Sequence, residues 1–353
     1  MRQKLASDKK LNTLKPAHIM LCIVDHFEPF NGGADFKKAE MRVASWINSY
    51  PQMASKFKDS DGKTPRHTWF YPPHHDQRFL EYLIKLCQGG YGEIEMHLHH
   101  NHMPPFPDNE ATLRAKVMKC VEDYSRYGIF CLPDGGKKFA FVHGDWSLDN
   151  SRGEKFCGVN NEITILKECG CYADFTFPSL GKAQPEKINR IYYAKDDPEK
   201  PKSYNRGKEI RVNGEAWGDL LMIPGIIGLR RKSKFRIKPS IEVSNLDGID
   251  CPSPERIDYW VKNGITVKGK TNWIFIKLHT HGAREDNWDS LFGEKAEGMH
   301  RYLGQKYMNN GQYCLHYVTA REMYNIIMAA EAGKGGNPDE YRNFKIPKYV
   351  YAL

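Results

Sequence analysis

The sequence predicts an α/β fold in which strands and helices alternate. Short apolar runs typical of strands recur along the chain, and most are followed by apolar residues at helical spacing. This alternation implies parallel strands with right-handed crossovers, so an α/β barrel is the leading arrangement and a doubly wound open sheet is the second. No Gly-x-Gly-x-x-Gly turn opens a predicted helix, which argues against the dinucleotide site of the open-sheet alternative.

The predicted strands are short apolar runs that end at polar residues or prolines. They cover 18–24, 67–71, 93–98, 138–142, 172–177, 220–223, 273–278 and 313–318. In the third run, apolar and polar residues alternate from Ile94 to His99, and prolines follow at 104 and 105. One face of that strand therefore carries glutamate and imidazole side chains.

The predicted helices are bounded by recognisable start and stop signals. The first begins at Phe36 and is expected to end at Pro51, because proline disrupts a helix interior. A long helix is expected over 288–303. The last helix opens with a capping box, in which Thr319 and Glu322 each bond the other's backbone N–H.

The chain is expected to form a single domain over 1–353. Two segments interrupt the regular pattern: an insertion of loops or a hairpin at about 181–218, and a basic loop at about 229–250. The formal charge of +9 suggests an anionic partner such as an acidic or phosphate-bearing saccharide. No nucleic-acid-binding motif is present, so nucleic acid is not an expected partner.

Composition also indicates a cytoplasmic protein. No apolar run approaches the roughly 20 residues that a membrane-spanning helix needs. The basic start of the chain is not followed by the apolar core of a signal peptide. The nine cysteines are odd in number and include no Cys-x-x-Cys pair, so reduced thiols are expected.

Titratable residues follow the predicted strands at their carboxyl ends, where barrel enzymes carry their active sites. They are Asp25 and His26, the cluster 97–102, His143 and Asp145, Asp174, and His279 and His281. A lone histidine would more often be structural, but five such positions are hard to explain by packing. One carboxylate with two or three imidazoles suits zinc or a similar divalent ion. The pattern therefore predicts metal-assisted hydrolysis of an amide or ester.

The order of these motifs resembles the polysaccharide deacetylase superfamily (NodB-homology, carbohydrate esterase 4-like). The matching segments are Val24-Asp25-His26, Glu93-Ile94-Glu95-Met96-His97, Phe141-Val142-His143-Gly144-Asp145-Trp146, Ala173-Asp174-Phe175, Ile276-Lys277-Leu278-His279 and Tyr317-Val318-Thr319-Ala320-Arg321-Glu322. The resemblance implies a distorted (β/α)7 barrel and a zinc-dependent hydrolase. Its expected reaction removes an acyl group, above all N-acetyl, from a sugar or saccharide conjugate.

By position, the resemblance implies Asp25 as general base, His279 as general acid and His97 as the first metal ligand. His26 stands where the family has a metal-binding aspartate, and an imidazole can take that place as a ligand. A site with His26 in place of an aspartate would be more positive than that of the family.

The second histidine ligand is left open by the spacing. Asn101, four residues after His97, occupies the family's histidine position. His102 is the favoured substitute, and His99 is close behind because it shares a strand face with His97. His100 is the third choice.

Four residues are expected to contact substrate. His143 stands near the family's arginine, Asp145 follows it, Trp146 offers a face for a sugar ring, and Lys277 shares a strand face with His279. Lys277 could instead form an internal ion pair.

Other polar residues near the strand ends have no settled role. Glu28 is either an added acid or a loop carboxylate. His74 and His75 either contact substrate or form a solvated turn.

Two further functions fit the same residues. Paired carboxylates among Asp25, Glu28, Asp145 and Asp174 would suit a glycoside hydrolase on a related barrel. The departures from the family's metal motif would suit a noncatalytic saccharide-binding protein. Released acetate, reducing sugar or no product distinguishes the three.

Overall fold

The computed structural model describes residues 16–231, 239–308 and 310–352, and the fold is mixed α/β as predicted. The strands are β1 Ala17–His26, β2 His67–Tyr71, β3 Gly92–Leu98, β4 Phe139–His143, β5 Cys171–Asp174, β6 Tyr192–Ala194, β7 Gly207–Glu209, β8 Leu220–Met222, β9 Gly228–Arg231, β10 Pro239–Glu242, β11 Trp273–Thr280 and β12 Tyr313–Tyr317. The helices are α1 Phe36–Ala54, α2 Arg78–Gln88, α3 Glu110–Ser125, α4 Glu162–Glu168, α5 Pro254–Asn263, α6 Trp288–Leu291, α7 Glu294–Tyr307 and α8 Ala320–Glu331.

A ten-stranded sheet forms the centre of the molecule. Its order is β11-β1-β2-β3-β4-β5-β8-β6-β7, and β12 pairs with the first half of β1. Pairing is parallel from β11 to β8, whereas β6 is antiparallel to both β8 and β7. The parallel strands therefore present their carboxyl ends at one edge of the sheet.

Strand pairing among the described residues leaves this sheet open, with β11 and β7 at its two ends. The barrel predicted from the sequence is thus not confirmed, although a large, mostly parallel sheet is. A loop occupies the free edge of β11: His279 N–H donates to Ser244 O at 2.8 Å, and Leu246 N–H donates to His279 O at 2.8 Å. This loop provides backbone partners that a neighbouring strand would otherwise supply.

The core explains why the strand signals in the sequence were apolar runs rather than strict alternations. All ten positions of β1 are buried, as are all positions of β2 to β5 and β11. Parallel strands covered on both faces favour continuous apolar sequence. Polar residues at 0% exposure inside such strands, such as Asp25 and His97, need specific partners.

Two helix boundaries differ from the prediction. Helix α1 passes through Pro51 and continues to Ala54, because the missing N–H removes one bond while Met53 and Ala54 gain burial. The long helix expected over 288–303 is divided into α6 and α7 by Gly293, whose backbone is extended.

The capping box at α8 is confirmed. The Thr319 hydroxyl accepts from Glu322 N–H at 3.3 Å, and the Glu322 carboxylate accepts from Thr319 N–H at 3.0 Å. The same hydroxyl donates to Glu93 Oε2 at 2.6 Å, and Arg321 forms an ion pair with Glu93 at 2.7 Å. Glu93 therefore ties β3 to the start of α8.

The two irregular segments contain β structure. The β6–β7 pair lies within 181–218, and β9 and β10 form a separate antiparallel pair within 229–250. Arg230, at 8% exposure, pairs with Glu242 at 2.6 Å and also with Asp250. The basic residues of 232–238 and the N-terminal 1–15 lie outside the described residues. None of the described helices is both long and apolar enough to cross a membrane.

Candidate metal centre and active site

Three possible ligand atoms converge at the carboxyl edge of the sheet. The Nε2 atoms of His97 and His99 are 3.1 Å apart. Glu28 Oε1 lies 3.0 Å from His99 Nε2 and 4.0 Å from His97 Nε2. All three side chains are buried, and the three ligand atoms lie within 4.8 Å of one another.

Local backbone geometry explains how these side chains meet. His97 is in β3 and His99 follows its end, so residues two apart point to the same side. A short 3₁₀ turn, His100–His102, then changes the direction of the chain. Glu28 follows the end of β1, which lies two strands away from β3. The carboxyl ends of two parallel strands, β1 and β3, therefore supply the cluster.

Hydrogen bonds fix the orientation of both imidazole rings. His97 Nδ1 donates to Val142 O at 3.0 Å, and His99 Nδ1 lies 3.2 Å from Asp145 Oδ2. Since carbonyl and carboxylate oxygens only accept, each Nδ1 carries a proton. The two Nε2 atoms can then present lone pairs to each other and to the Glu28 carboxylate. A cation or an additional proton is needed to satisfy these three acceptors.

Electrostatics distinguish the two histidines. Burial lowers the pKa of His97 to about 3. Burial also disfavours protonation of His99, but its hydrogen bonds to Asp145 and Glu28 outweigh that effect and raise its pKa to about 9. Burial raises the pKa of Glu28, yet the bond from His99 and the charge of His97 hold it well below its ordinary value. A proton on His99 and a bound cation are thus alternative ways to stabilise this cluster.

The donor set fits a divalent ion. Zinc ligands at about 2.0–2.1 Å from a tetrahedral ion are roughly 3.3 Å apart. The His97–His99 and Glu28–His99 separations are close to that value, and the Glu28–His97 separation is longer. Two imidazoles and one carboxylate leave room for a further ligand, which is the pattern of hydrolytic zinc sites.

Two more histidines adjoin the cluster. The His26 ring centroid is 4.9 Å from that of His97 and 4.9 Å from that of His281. His26 Nε2 is buried and has no hydrogen-bond partner among the described residues. Burial lowers the pKa of His26 well below its ordinary value, and His97 and His281 lower it further. His26 is therefore a neutral imidazole beside the candidate ligands.

Asp25 is held by two donors at 0% exposure. His67 Nε2 lies 2.8 Å from Asp25 Oδ2, and Gly282 N–H donates to Asp25 Oδ1 at 2.6 Å. Trp46 Nε1 and Trp288 Nε1 both donate to Gly282 O, at 2.8 and 3.0 Å. A Cβ atom on residue 282 would lie 2.0 Å from Asp25 Oδ2, so only glycine permits this approach.

Clefts lie on two sides of the cluster. One, of about 740 Å³, is lined by residues that include Asp145, Trp146, His279 and His281. The other, of about 630 Å³, is lined by Glu28, His74, His75 and His102 among others. The candidate ligands thus lie beside spaces large enough for a small organic substrate.

Several predicted residues belong to these clefts. His279 lines the first cleft; its Nδ1 has no hydrogen-bond partner among the described residues, and burial holds its pKa well below the ordinary value. Asp145 and Trp146 line the same cleft. His102 is exposed, stacks on His99 at 4.6 Å and lies 3.2 Å from His74 Nε2 through its Nδ1.

Lys277 and His143, two of the residues expected to contact substrate, lie elsewhere. Lys277 is 1% exposed, and its ammonium donates to Phe177 O at 2.9 Å; burial lowers its pKa to about 7. His143 is fully buried, and its Nε2 lies 3.5 Å from Glu162 Oε1. Neither lines the two clefts, so neither has a surface there for substrate.

His67 had no predicted role, and the predicted role of Glu28 was open. Glu28 had a signal, since it lies three residues after Asp25 beyond a strand end. His67 had none, because it begins β2 and reaches Asp25 only through the pairing of β2 with β1.

No protein-family model matches the chain, and no curated protein does. Among solved structures, a candidate polysaccharide deacetylase from Mycobacterium smegmatis is similar, with a TM-score of 0.47, 11% identity and coverage of 90% of this chain and 92% of that one. A GH57 branching enzyme from Thermococcus kodakaraensis, in complex with glucose, has a TM-score of 0.39, 10% identity and coverage of 83% and 69%. The GH57-type branching enzyme of Pyrococcus horikoshii has a TM-score of 0.43 and 9% identity, with coverage of 87% of this chain and 70% of that one.

Proposed function

We propose that this protein is a metal-dependent hydrolase that removes an acyl group, above all N-acetyl, from a sugar or saccharide conjugate. The observation that carries the proposal is the convergence of Glu28 Oε1, His97 Nε2 and His99 Nε2 beside two clefts. Both imidazoles have their Nδ1 atoms occupied by acceptors, which is how metal-binding histidines are oriented.

The proposed ligand set differs from the one that the resemblance implies. Glu28 takes the role of the family's aspartate, so a carboxylate is kept although His26 replaces that residue. His99 takes the place proposed for His102. A divalent ion bound there, most simply zinc, would lower the pKa of a water molecule and polarise a substrate carbonyl.

His26 is then an additional buried imidazole beside the proposed ligands. Its unpartnered Nε2 and its ring contact with His97 support a role as a fourth ligand or as a hydrogen-bonding group for the reacting water. Its low pKa keeps it neutral, so it can accept a hydrogen bond or coordinate an ion without adding charge.

Asp25 and His279 are proposed to move protons, as the resemblance implies. The two hydrogen-bond partners of Asp25 fix the orientation of its carboxyl group. His279 lines the first cleft with a neutral imidazole, so it must gain a proton before it can protonate a leaving group. Proton transfer of this kind contributes about 10² to 10⁴ in rate.

The first cleft supports a saccharide substrate. The Trp146 indole gives it an apolar surface of the kind that packs against a sugar ring. Arg152 and Lys182 line the cleft together with Asp145 and Asp247, so cations and carboxylates are balanced there. The residues that line this cleft therefore add no support for the anionic substrate that the net charge suggests. A cytoplasmic location stays a prediction.

Product analysis tests the proposal. Purified protein is incubated with a panel of N- and O-acetylated sugars, and released acetate and new reducing ends are measured separately. Acetate release that stops on chelation and returns with Zn²⁺ is expected. Reducing ends without acetate would instead identify a glycoside hydrolase, and binding without any product would identify a noncatalytic protein.

A further inference from the structure

A second cluster of metal-ligating side chains lies behind the first. His100, His143, Cys157 and Glu162 are all buried, and their ligand atoms lie within 4.8 Å of one another. They belong to the turn after β3, the end of β4, the loop before α4 and the first residue of α4. None of the four lines either cleft described above.

The separations agree with those around a tetrahedral zinc ion. His100 Nε2 is 3.1 Å and His143 Nε2 is 3.5 Å from Glu162 Oε1. Cys157 Sγ is 3.5 Å from the other carboxylate oxygen, Glu162 Oε2, which also accepts from Asp149 N–H at 2.6 Å. Nitrogen or oxygen ligands at about 2.0–2.1 Å and sulfur at about 2.3 Å from zinc would lie roughly 3.3 to 3.6 Å apart.

Both imidazoles are oriented with Nε2 towards the centre of this cluster. His143 Nδ1 contacts Gly144 O, and His100 Nδ1 lies 2.9 Å from Asp108 Oδ2, an ion-pair contact without hydrogen-bond geometry. The Gly144 carbonyl keeps the proton of His143 on Nδ1, and the Asp108 carboxylate favours a proton on Nδ1 of His100, so Nε2 is the metal-binding atom of each ring. The carboxylate behind His100 is the usual outer partner of a zinc-bound histidine.

His143 supplies independent evidence for a ligand. Its Nε2 is completely buried and has no hydrogen-bond partner among the described residues. With the proton on Nδ1, that atom is an acceptor that faces the Glu162 carboxylate, which is also an acceptor. A proton on His100 could bridge Asp108 and Glu162, but it would leave His143 Nε2 unsatisfied. A cation among the four side chains would satisfy all of them.

The charges also balance. A Cys157 thiolate and the Glu162 carboxylate together neutralise a divalent ion. Asp108 is already neutralised by Lys116, whose ammonium is 2.8 Å from Asp108 Oδ1. A mixed set of sulfur, nitrogen and oxygen ligands in a closed site is typical of zinc rather than of magnesium or calcium.

We propose that His100, His143, Cys157 and Glu162 form a closed, structural zinc site. With four protein ligands and no opening to a cleft, its role is to hold segments together. Those segments include the surroundings of the candidate active site. Gly144 packs so closely on His99 that a Cβ atom there would lie 2.4 Å from the ring, and Asp145 bonds His99 Nδ1.

Cobalt substitution provides the test, because only this second site contains a cysteine. The full-length protein is stripped of metal and reloaded with Co²⁺ alone. The expected result is a thiolate-to-cobalt charge-transfer band in the near ultraviolet, with the intense visible bands of tetrahedral cobalt. The first site, with Glu28, His97 and His99, cannot produce a thiolate band.

Variants then assign the band to Cys157. The band should vanish in Cys157→Ser, with loss of one of two bound metal equivalents. It should persist in Cys87→Ser, which changes a cysteine that is buried to a similar extent in α2. It should also persist in Glu28→Gln, which alters only the first site. If Cys157→Ser does not fold, the wild-type, Cys87→Ser and Glu28→Gln spectra still decide the question.

Absence of the thiolate band from cobalt-loaded, folded wild-type protein would overturn the proposal, and so would a band that survives in Cys157→Ser. The result is separable from the proposed hydrolase activity. A thiolate band without hydrolysis supports the structural site alone. Chelator-sensitive hydrolysis without the band supports the active site alone and contradicts this proposal.

Discussion

The two histidine clusters draw on the same two chain segments but differ in their surroundings. Segment 97–100 supplies His97 and His99 to the first cluster and His100 to the second. Segment 143–145 supplies His143 to the second cluster and Asp145, the partner of His99, to the first. Glu28, His97 and His99 lie beside clefts and provide three donors, whereas the second cluster is sealed and provides four, one of them a thiol. An open position is needed for catalysis and a closed set suits a structural ion. If both proposals hold, one short histidine-rich stretch contributes to two different metal sites.

The direction of the chain at the end of β3 produces this division. His97 and His99 point to the cleft side because of strand alternation. His100 begins the following 3₁₀ turn and points away, towards α4. Consecutive histidines in the sequence can therefore have unrelated chemical roles.

The largest expected effect concerns the cleft-side ligands. Glu28→Gln or His97→Gln should lower kcat/KM by about 10³-fold, because each removes a ligand from an ion that supplies several kcal/mol of charge stabilisation. His102→Gln is the matched control and should change kcat/KM by less than about tenfold. Steady-state kinetics with metal analysis checks both. A large loss in His102→Gln with little loss in Glu28→Gln would reverse the ligand assignment.

The two clusters should lose their metal ions at different stages of metal removal. A soluble chelator should remove one equivalent, together with activity, because Glu28 of the first site lines an open cleft. The second equivalent should leave only when the protein unfolds. Its loss should destabilise the fold by about 2.7 kcal/mol if free ion had been at 100 times Kd. Simultaneous release of both equivalents without unfolding would contradict the distinction between open and closed sites.

Substitution of the carboxylates that contact His99 and His100 should also distinguish the two clusters. Asp145→Asn removes the charged partner of His99 Nδ1 and should weaken metal binding at the first site by about 10- to 100-fold. Asp108→Asn should mainly lower stability, since it removes the partner of both His100 and buried Lys116. Metal titrations and thermal unfolding distinguish the two outcomes. Equal effects of both variants on activity would show that the clusters are not functionally distinct.

Two glycine-to-alanine substitutions, one beside Asp25 and one control, test the contact of Gly282 with Asp25. Gly282→Ala should cost roughly 1–3 kcal/mol of stability and reduce activity, because its Cβ would lie 2.0 Å from Asp25 Oδ2 and 2.6 Å from Trp46 Cζ2. Gly298→Ala is the control, since no atom lies within 4 Å of its Cβ in α7, and it should stabilise by up to about 1 kcal/mol. Chemical denaturation measures both. An unaffected Gly282→Ala enzyme would exclude the proposed dependence on this contact.

Much of the fold could be predicted from local sequence. Apolar runs placed β1, β2 and β11 within a few residues of their observed bounds, and the capping box located the start of α8. The helix ends near Pro51 and Gly293 were mispredicted because tertiary burial and a local change of backbone direction decided them. Whether the sheet closes into a barrel could not be predicted from local sequence, because it depends on where loop 244–246 lies against β11.

Prediction of the site was less complete for a physical reason. Strand ends identified Asp25, His97 and His279, and strand alternation identified His99 as a neighbour of His97. Asn101 occupies the family's histidine position, and His102 was the favoured substitute; the 3₁₀ turn puts His102 on the surface.

Contacts between distant segments account for what the sequence did not reveal. The Asp25–His67 bond joins residues 42 positions apart. Cys157 and Glu162 come from a loop and a helix start without a recognisable motif. No short-range pattern encodes such pairs.

Anomalous scattering at the zinc edge from crystals of zinc-loaded protein tests the central claim most directly. We expect an anomalous peak within bonding distance of Glu28 Oε1, His97 Nε2 and His99 Nε2. Density from a bound ion that is coordinated by His26 and His102 without Glu28, or no peak at this edge of the sheet in fully loaded protein, would contradict it.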